Sequence, residues 1–347
     1  TLTPRPPRTT LRRSRRQRQM CIRDSSQVAD LLGCQPDEIV FTSGGSESNN
    51  YAIKGAAFAN RIKGNHIITS AIEHPAVTEV CRYLEYEQFR VTYLPVDEWG
   101  LVDVVKLKES ITPQTILISL MHANNEVGTI QPISDISEVA RQNGIIMHTD
   151  AAQSVGKIPA GVDELGVDLL SVAGHKLYAP KGIGALFIRK GTDLEKLIHG
   201  ASHEHNKRAG TENVLGIVGL GKACEIAKRD LSKNMTHMKS MRDRLHRGLQ
   251  ERVGEIRLNG HREKRLPNTL SVGFPNIEAD KLLLNIKGIA ASAGAACHSD
   301  HASISHVLTA MNVPEIYAIG TIRFSTGKMT TPEEIDGTLE IIKTLVQ

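Results

Sequence analysis

Between residues 38 and 188 the chain alternates short apolar runs with amphipathic stretches, and this alternation limits its fold more than any other feature. The runs at residues 38–42, 66–69, 90–94, 115–121, 145–149, 169–172 and 183–188 have the length and composition of strands. Helical patterns lie between several of them, at residues 46–61, 75–88 and 133–143, the last closed by Asn143-Gly144. Strand–helix alternation implies a mostly parallel sheet covered by helices on both faces. A long helical stretch follows at residues 213–253. Short strands at 268–272, 289–292 and 321–325 and a helix from Pro332 complete the chain. The expected architecture is α/β, with a mostly parallel seven-stranded sheet over residues 26–220 and a smaller α+β C-terminal domain over residues 221–347.

Charge separates one segment from the rest. Residues 1–25 carry eight arginines and one aspartate, so the net charge of +4 for the whole chain leaves the remainder at −3. A slightly acidic body has no global field that attracts nucleic acid. No apolar run approaches the roughly eighteen residues of a membrane span. The leader has the composition of a transit peptide, though the tract RQRQMCIRDS resembles translated adapter sequence more than protein, and disorder is expected over residues 1–25. The five cysteines, Cys21, Cys34, Cys81, Cys224 and Cys297, are odd in number and widely spaced. That argues for a reducing compartment, the cytoplasm, over a disulfide framework.

Open α/β sheets bind ligands at the C-terminal ends of their strands, and four segments fall there. In DLLSVAGHKLYAPKG, residues 168–182, Lys176 follows an apolar run. Burial strips hydration from an ammonium and lowers its pKa, which suits an amine nucleophile; the plain alternative is a solvated loop lysine. In MHTDAAQSVGK, residues 147–157, Asp150 ends a strand and needs a cationic partner if buried; otherwise it caps a helix. In SGGSESNN, residues 43–50, glycines and Ser46 at a helix start suit an anion, or else Ser46 is an ordinary N-cap. His74 precedes Pro75 at another helix start, placed to stack on a planar ligand or move protons, or simply exposed. Asp150 and Lys176 together are the pair that pyridoxal phosphate requires: an amine for its aldehyde and a carboxylate that keeps its ring nitrogen protonated.

These segments, with MHANNEVGTIQPI, RAGTENV, LPNTLSV, GAAC and TIRFS in the same order, resemble the cysteine desulfurases, within the class V aminotransferase group of fold-type I pyridoxal phosphate enzymes. The resemblance runs from about Gln27 to Gln347. It implies that Lys176 is the Schiff-base lysine, with His175 beside it at the phosphate end. It implies that Asp150 pairs with the pyridinium, that Gln153 bonds the ring hydroxyl and that His74 stacks on the ring and handles protons. Gly45 and Ser46 are then at the phosphate, which Thr211 reaches from the other subunit of a homodimer. Asn125 lies near the substrate, and Arg323 grips its carboxylate. Cys297 is the nucleophile that takes sulfur from L-cysteine, leaving alanine and a persulfide for an acceptor or scaffold protein that serves iron–sulfur clusters or thio-modified tRNA.

The sequence departs from that family in several places. Ala173 stands where serine is frequent, removing a hydroxyl from the phosphate site. His205 and Asn206 stand where many members have Arg-Gly. The run Cys297-His298-Ser299-Asp300-His301 is closer to the selenocysteine lyases, which opens L-selenocysteine as an alternative substrate. Family members begin with an Asn-Ala-Thr-Thr-like stretch and a helix; the arginine-rich leader replaces them here, and reduced stability is expected. A third reading is a metal module built from Cys297, His298, His301, His306, His203 and His205, whose spacing matches no standard site, so no metal is expected.

Overall fold

The computed structural model describes residues 22–346 apart from residues 287, 294 and 298–301; the side chains of residues 295–297, 302 and 303 are also outside the described set. The large sheet contains β1 (Ile39–Thr42), β2 (His66–Ser70), β3 (Arg90–Leu94), β4 (Thr115–Ser119), β5 (Ile146–Asp150), β6 (Leu169–Ala173) and β7 (Gly184–Ile188), in the order β1-β7-β6-β5-β4-β2-β3. Only β7 runs against the others, pairing antiparallel with both β6 and β1. The link from β6 to β7 is ten residues long, shorter than the dozen or more that a parallel crossover takes, so the chain turns back instead.

Side chains alternate across the sheet and separate two cores. Phe41, Ile68, Ile118, Met147, Leu170 and Phe187 point to one face, and Val40, Ile67, Leu117, Leu169 and Leu186 to the other. The first face is covered by α1 (residues 22–32), which contributes Val28, Ala29 and Leu32. Tyr51, Ile53 and Ala56 of α2 (Gly45–Asn60) and Val77, Val80 and Leu84 of α3 (Pro75–Tyr86) fill the second. Residues 22–25, grouped above with the leader, are therefore the first turn of α1, with Asp24 buried. The next three helices, α4 (Val104–Ser110), α5 (Ile133–Gln142) and α6 (Val162–Leu165), are the remaining connections between strands.

α7 (Val214–Val253) joins this body to the smaller sheet. Its Ile217, Leu220 and Cys224 enter the core of the first face, and its Met241, Leu245 and Leu249 enter a separate core. Residue 220, where the sequence divides, thus lies inside one continuous helix. The second core belongs to β8 (Arg257–Asn259), β9 (Thr269–Gly273), β10 (Ser292–Ala293) and β13 (Thr321–Ser325), ordered β10-β13-β9-β8. The strand expected at residues 289–292 forms three residues later, as β10. A two-stranded ribbon, β11 (Ala295–Cys297) and β12 (Ala302–Ile304), pairs Cys297 with Ala302. α8 (Ala279–Asn285), α9 (His306–Ala310), α10 (Glu315–Ala318) and α11 (Pro332–Val346) complete the chain, α11 packing along α7.

Candidate active site

β1, β2, β4, β5 and β6 all end at the same edge of the sheet, and their following loops enclose a cavity of about 320 Å3. Its walls include Gly45 and Ser46 after β1, His74 after β2, Asn125 after β4, Asp150 and Gln153 at the end of β5, and His175 and Lys176 after β6. Arg323 reaches it from β13 of the small sheet. Nine of the eleven residues singled out from the sequence therefore meet in one place. A larger cavity, about 850 Å3, opens at the opposite edge, among Glu138, Arg141, Asp163 and Arg189, and contains none of them.

Asp150 is buried at the end of β5. Its Oδ2 accepts from Asn49 Nδ2 at 2.7 Å and its Oδ1 from the Ala152 amide at 2.9 Å. Both donors are neutral. Burial raises its pKa above the usual carboxylate range, opposed by those two hydrogen bonds and by the charges of His74 and Lys176. Asn49 escaped the sequence reading; it lies three residues after Ser46, on the same side of α2. No helix follows Asp150, so its local role is a turn and not a helix cap.

Lys176 sits in a single turn of 3-10 helix, Gly174–Leu177, and has no hydrogen-bond or ion-pair partner among the described residues. Burial and then the nearby Arg323 lower its pKa, while Asp150 works the other way. The pKa of His175 is lowered by burial and then by Lys176, Lys181 and Lys157. His74 serves two purposes. Its Nδ1 accepts from the Ala76 amide at 3.0 Å, capping α3, and it still lines the cavity. With Nδ1 accepting, the neutral ring carries its proton on Nε2.

Gly44, at φ 154°, adopts a backbone conformation that side chains rarely allow, and Gly45 opens α2 directly after it. A Cβ on Gly45 would lie 3.1 Å from Ala173 Cβ, so two small residues clear the floor beside the α2 N-terminus. Arg323 donates from Nη1 to Asn125 O at 2.9 Å, and its buried Nε has no partner.

Two residues are not in this cavity. Thr211 lines another one, with Ser43, Gly182 and Arg208. Cys297 ends β11, but its side chain, with residues 298–301, is outside the described set. Cys34, Cys81 and Cys224 are free thiols whose pKa burial pushes up to about 12, which makes them poor nucleophiles. Of the histidines weighed as metal ligands, His203 bonds Glu212 and His306 bonds the Glu73 carbonyl; no metal-holding cluster occurs among the described residues.

The aminotransferase class-V family matches residues 7–337. The cysteine desulfurase IscS of Dictyoglomus turgidum (strain DSM 6724 / Z-1310) is 51% identical over 323 residues, covering 92% of this chain and 82% of that protein. The cysteine desulfurase IscS of Methanosarcina thermophila is 52% identical over 323 residues, covering 92% and 80%. Among solved structures, a NifS-like protein superposes with a TM-score of 0.90 at 39% identity, covering 96% of this chain and 89% of that one. These likenesses favour cysteine over the selenocysteine suggested by the CHSDH run.

Proposed function

The chain belongs to the aminotransferase class-V family and is a pyridoxal phosphate-dependent cysteine desulfurase; from that premise we propose how its own residues divide the work. The cavity suits the cofactor on three counts: a buried carboxylate with only neutral donors, an unpaired lysine, and a small-residue floor at a helix N-terminus. When bound, pyridoxal phosphate supplies an electron sink that weakens bonds next to the substrate amine.

Asp150 holds the ring nitrogen protonated, and the raised pKa that it shows alone falls once a cation pairs with it. Ser46 and the first amides of α2 hold the phosphate, with Gly45 leaving room and His175 alongside. Gln153 would hold the ring oxygen, and His74 would lie beside the cofactor and move a proton at Nε2. Lys176, its pKa already lowered, supplies the amine that links the cofactor and then carries a proton between substrate positions. Arg323 has an unpartnered Nε and takes the substrate carboxylate beside Asn125.

Cys297 receives the sulfur. Its thiolate forms an S–S bond with the substrate sulfur as the Cβ–S bond breaks; the bonding pair stays with the carbon skeleton, which takes up a proton at Cβ and leaves as alanine. The high pKa values of Cys34, Cys81 and Cys224 support this choice. In this reading residues up to about 220 hold the cofactor, and the smaller unit brings Cys297 and Arg323. Thr211 serves the cavity of a second copy in a homodimer, and an acceptor protein collects the persulfide.

The observation that carries the reading is the convergence of Asp150, Lys176 and Arg323 on one cavity. Its test is anaerobic incubation of the protein and added pyridoxal phosphate with L-cysteine or L-selenocysteine. Alanine from L-cysteine is expected in step with persulfide on Cys297, and Cys297→Ser is expected to stop it. Alanine from L-selenocysteine alone would overturn the substrate assignment, and full sulfur release by Cys297→Ser would overturn the nucleophile.

A further inference from the structure

Lys157 closes the motif HTDAAQSVGK and has no part in the division of work above. Behind Asp150 the chain makes a series of turns, with Ser154 N bonded to Ala151 O and Lys157 N to Ser154 O. These turns bring the Lys157 side chain back onto Gln153. Its Nζ donates to Gln153 O at 3.0 Å and to Gln153 Oε1 at 3.1 Å. One ammonium thus grips both the main chain and the side chain of a cavity residue.

The grip has a chemical consequence. A glutamine amide offers an acceptor at one end and a donor at the other. Lys157 occupies the acceptor end, and no described residue bonds Gln153 Nε2. Flipping the amide would set Nε2 against Nζ, donor against donor. The face that Gln153 offers to the cavity is therefore a donor. Burial, then the charges of Lys176 and Arg323, lower the pKa of Lys157 to about 7. Below that value it is an ammonium with three N–H donors and no lone pair, the form in which it fixes the amide. Lys157 also lines a small cavity of about 80 Å3 with Lys176, Asn234 and Asn268, and Lys176 lines the main site as well.

We propose that Lys157 is a positioning residue that fixes the Gln153 amide with its –NH2 toward the cofactor cavity, so that the site selects a ring oxygen acting as hydrogen-bond acceptor. The proposal rests on the reading that this cavity holds pyridoxal phosphate. It adds a residue whose only contact with the cofactor is through another side chain.

The test uses the full chain with Lys157→Met, Gln153→Leu and the double variant. Three readouts apply: the visible absorbance of bound pyridoxal phosphate across pH, the dissociation constant of the cofactor, and the melting curve of the cofactor-free protein. Lys157→Met is expected to change the absorbance and its pH titration in the same direction as Gln153→Leu. Its loss of cofactor affinity is expected to be about three- to tenfold, the scale of one hydrogen bond. The double variant is expected to match Gln153→Leu alone. Lys157→Gln retains an N–H donor, is expected to lie nearer wild type and serves if the Met variant does not fold. A Lys157→Met protein with wild-type absorbance and affinity, or effects that add in the double variant, would overturn the proposal. A wild-type protein that takes up no pyridoxal phosphate would show itself before any variant is made and would overturn the cofactor reading, with the proposal.

Discussion

The two edges of the large sheet both carry charged groups and arrange them differently. At the N-terminal edge, in the larger cavity, Arg189 pairs with Asp163 and Arg141 with Glu138, and Arg189 also donates to the carbonyls of Val162 and Val167. Both arginines there have a carboxylate partner within the protein, while Lys63, Glu164 and Asp193 are exposed to water. At the C-terminal edge Asp150 has only neutral donors and Lys176 has no partner among the described residues; Arg323 bonds only a carbonyl. Cavity size does not separate the two edges as ligand sites. Incomplete pairing does, because charges held apart at a cost in desolvation are those that a ligand completes.

The largest break in this contrast is expected from Asp150→Asn. It keeps the shape and removes the charge, and the rate of alanine formation should fall roughly 10²–10³-fold, the scale for losing a preorganised electrostatic group. Next is Glu73, buried beside His74 and accepting from Ser70 Oγ and the Met121 amide. Burial raises its pKa to about 8. Between its ordinary 4.5 and about 8 the folded protein holds a proton that the unfolded chain has lost, so stability falls as pH rises through that window. Glu73→Gln should remove that fall. Denaturant unfolding at pH 5 and pH 8 should then favour the variant more at pH 8, with a slope no steeper than about 1.4 kcal/mol per pH unit. A difference independent of pH would count against a protonated Glu73.

Ala173→Ser restores a hydroxyl to the floor beside Gly45 and is expected to tighten cofactor binding by about 1 kcal/mol, roughly fivefold, in a fluorescence titration. The smallest effect belongs to the opposite edge. Arg141→Ala breaks an exposed pair with Glu138 and should change unfolding free energy by less than about 0.5 kcal/mol, with alanine formation untouched. A catalytic loss there would blur the distinction between the edges.

Much of this was legible in the sequence because it depends on local pattern. Apolar runs of strand length give the sheet, and their ends place Asp150 and Lys176 where α/β ligands bind. The ten-residue link before β7 even carried the signal for its reversal. Asn49 was not legible, since its bond to Asp150 depends on how α2 is rotated over β5. Lys157 was not either: a lysine before Ile158-Pro159 looks solvent-exposed until the turns bring it onto Gln153. Residues 22–25 fell in with the leader because Arg23 extends its run of arginines, while the apolar Val28, Ala29 and Leu32 that hold the helix come later.

α7 carries a practical consequence. Between Ala227 and Met238 none of its residues is fully buried, so nearly three turns of half-exposed helix connect two cores that its ends help to build. Anyone seeking to express the halves separately has no clean place to cut. Starting the small part after Leu249 would deprive its sheet of three core side chains, while ending the large part at Val253 would leave Met241, Leu245 and Leu249 as an oily stripe facing water. The first product would be underpacked and the second prone to aggregate, so the two parts are best exchanged between relatives as one piece.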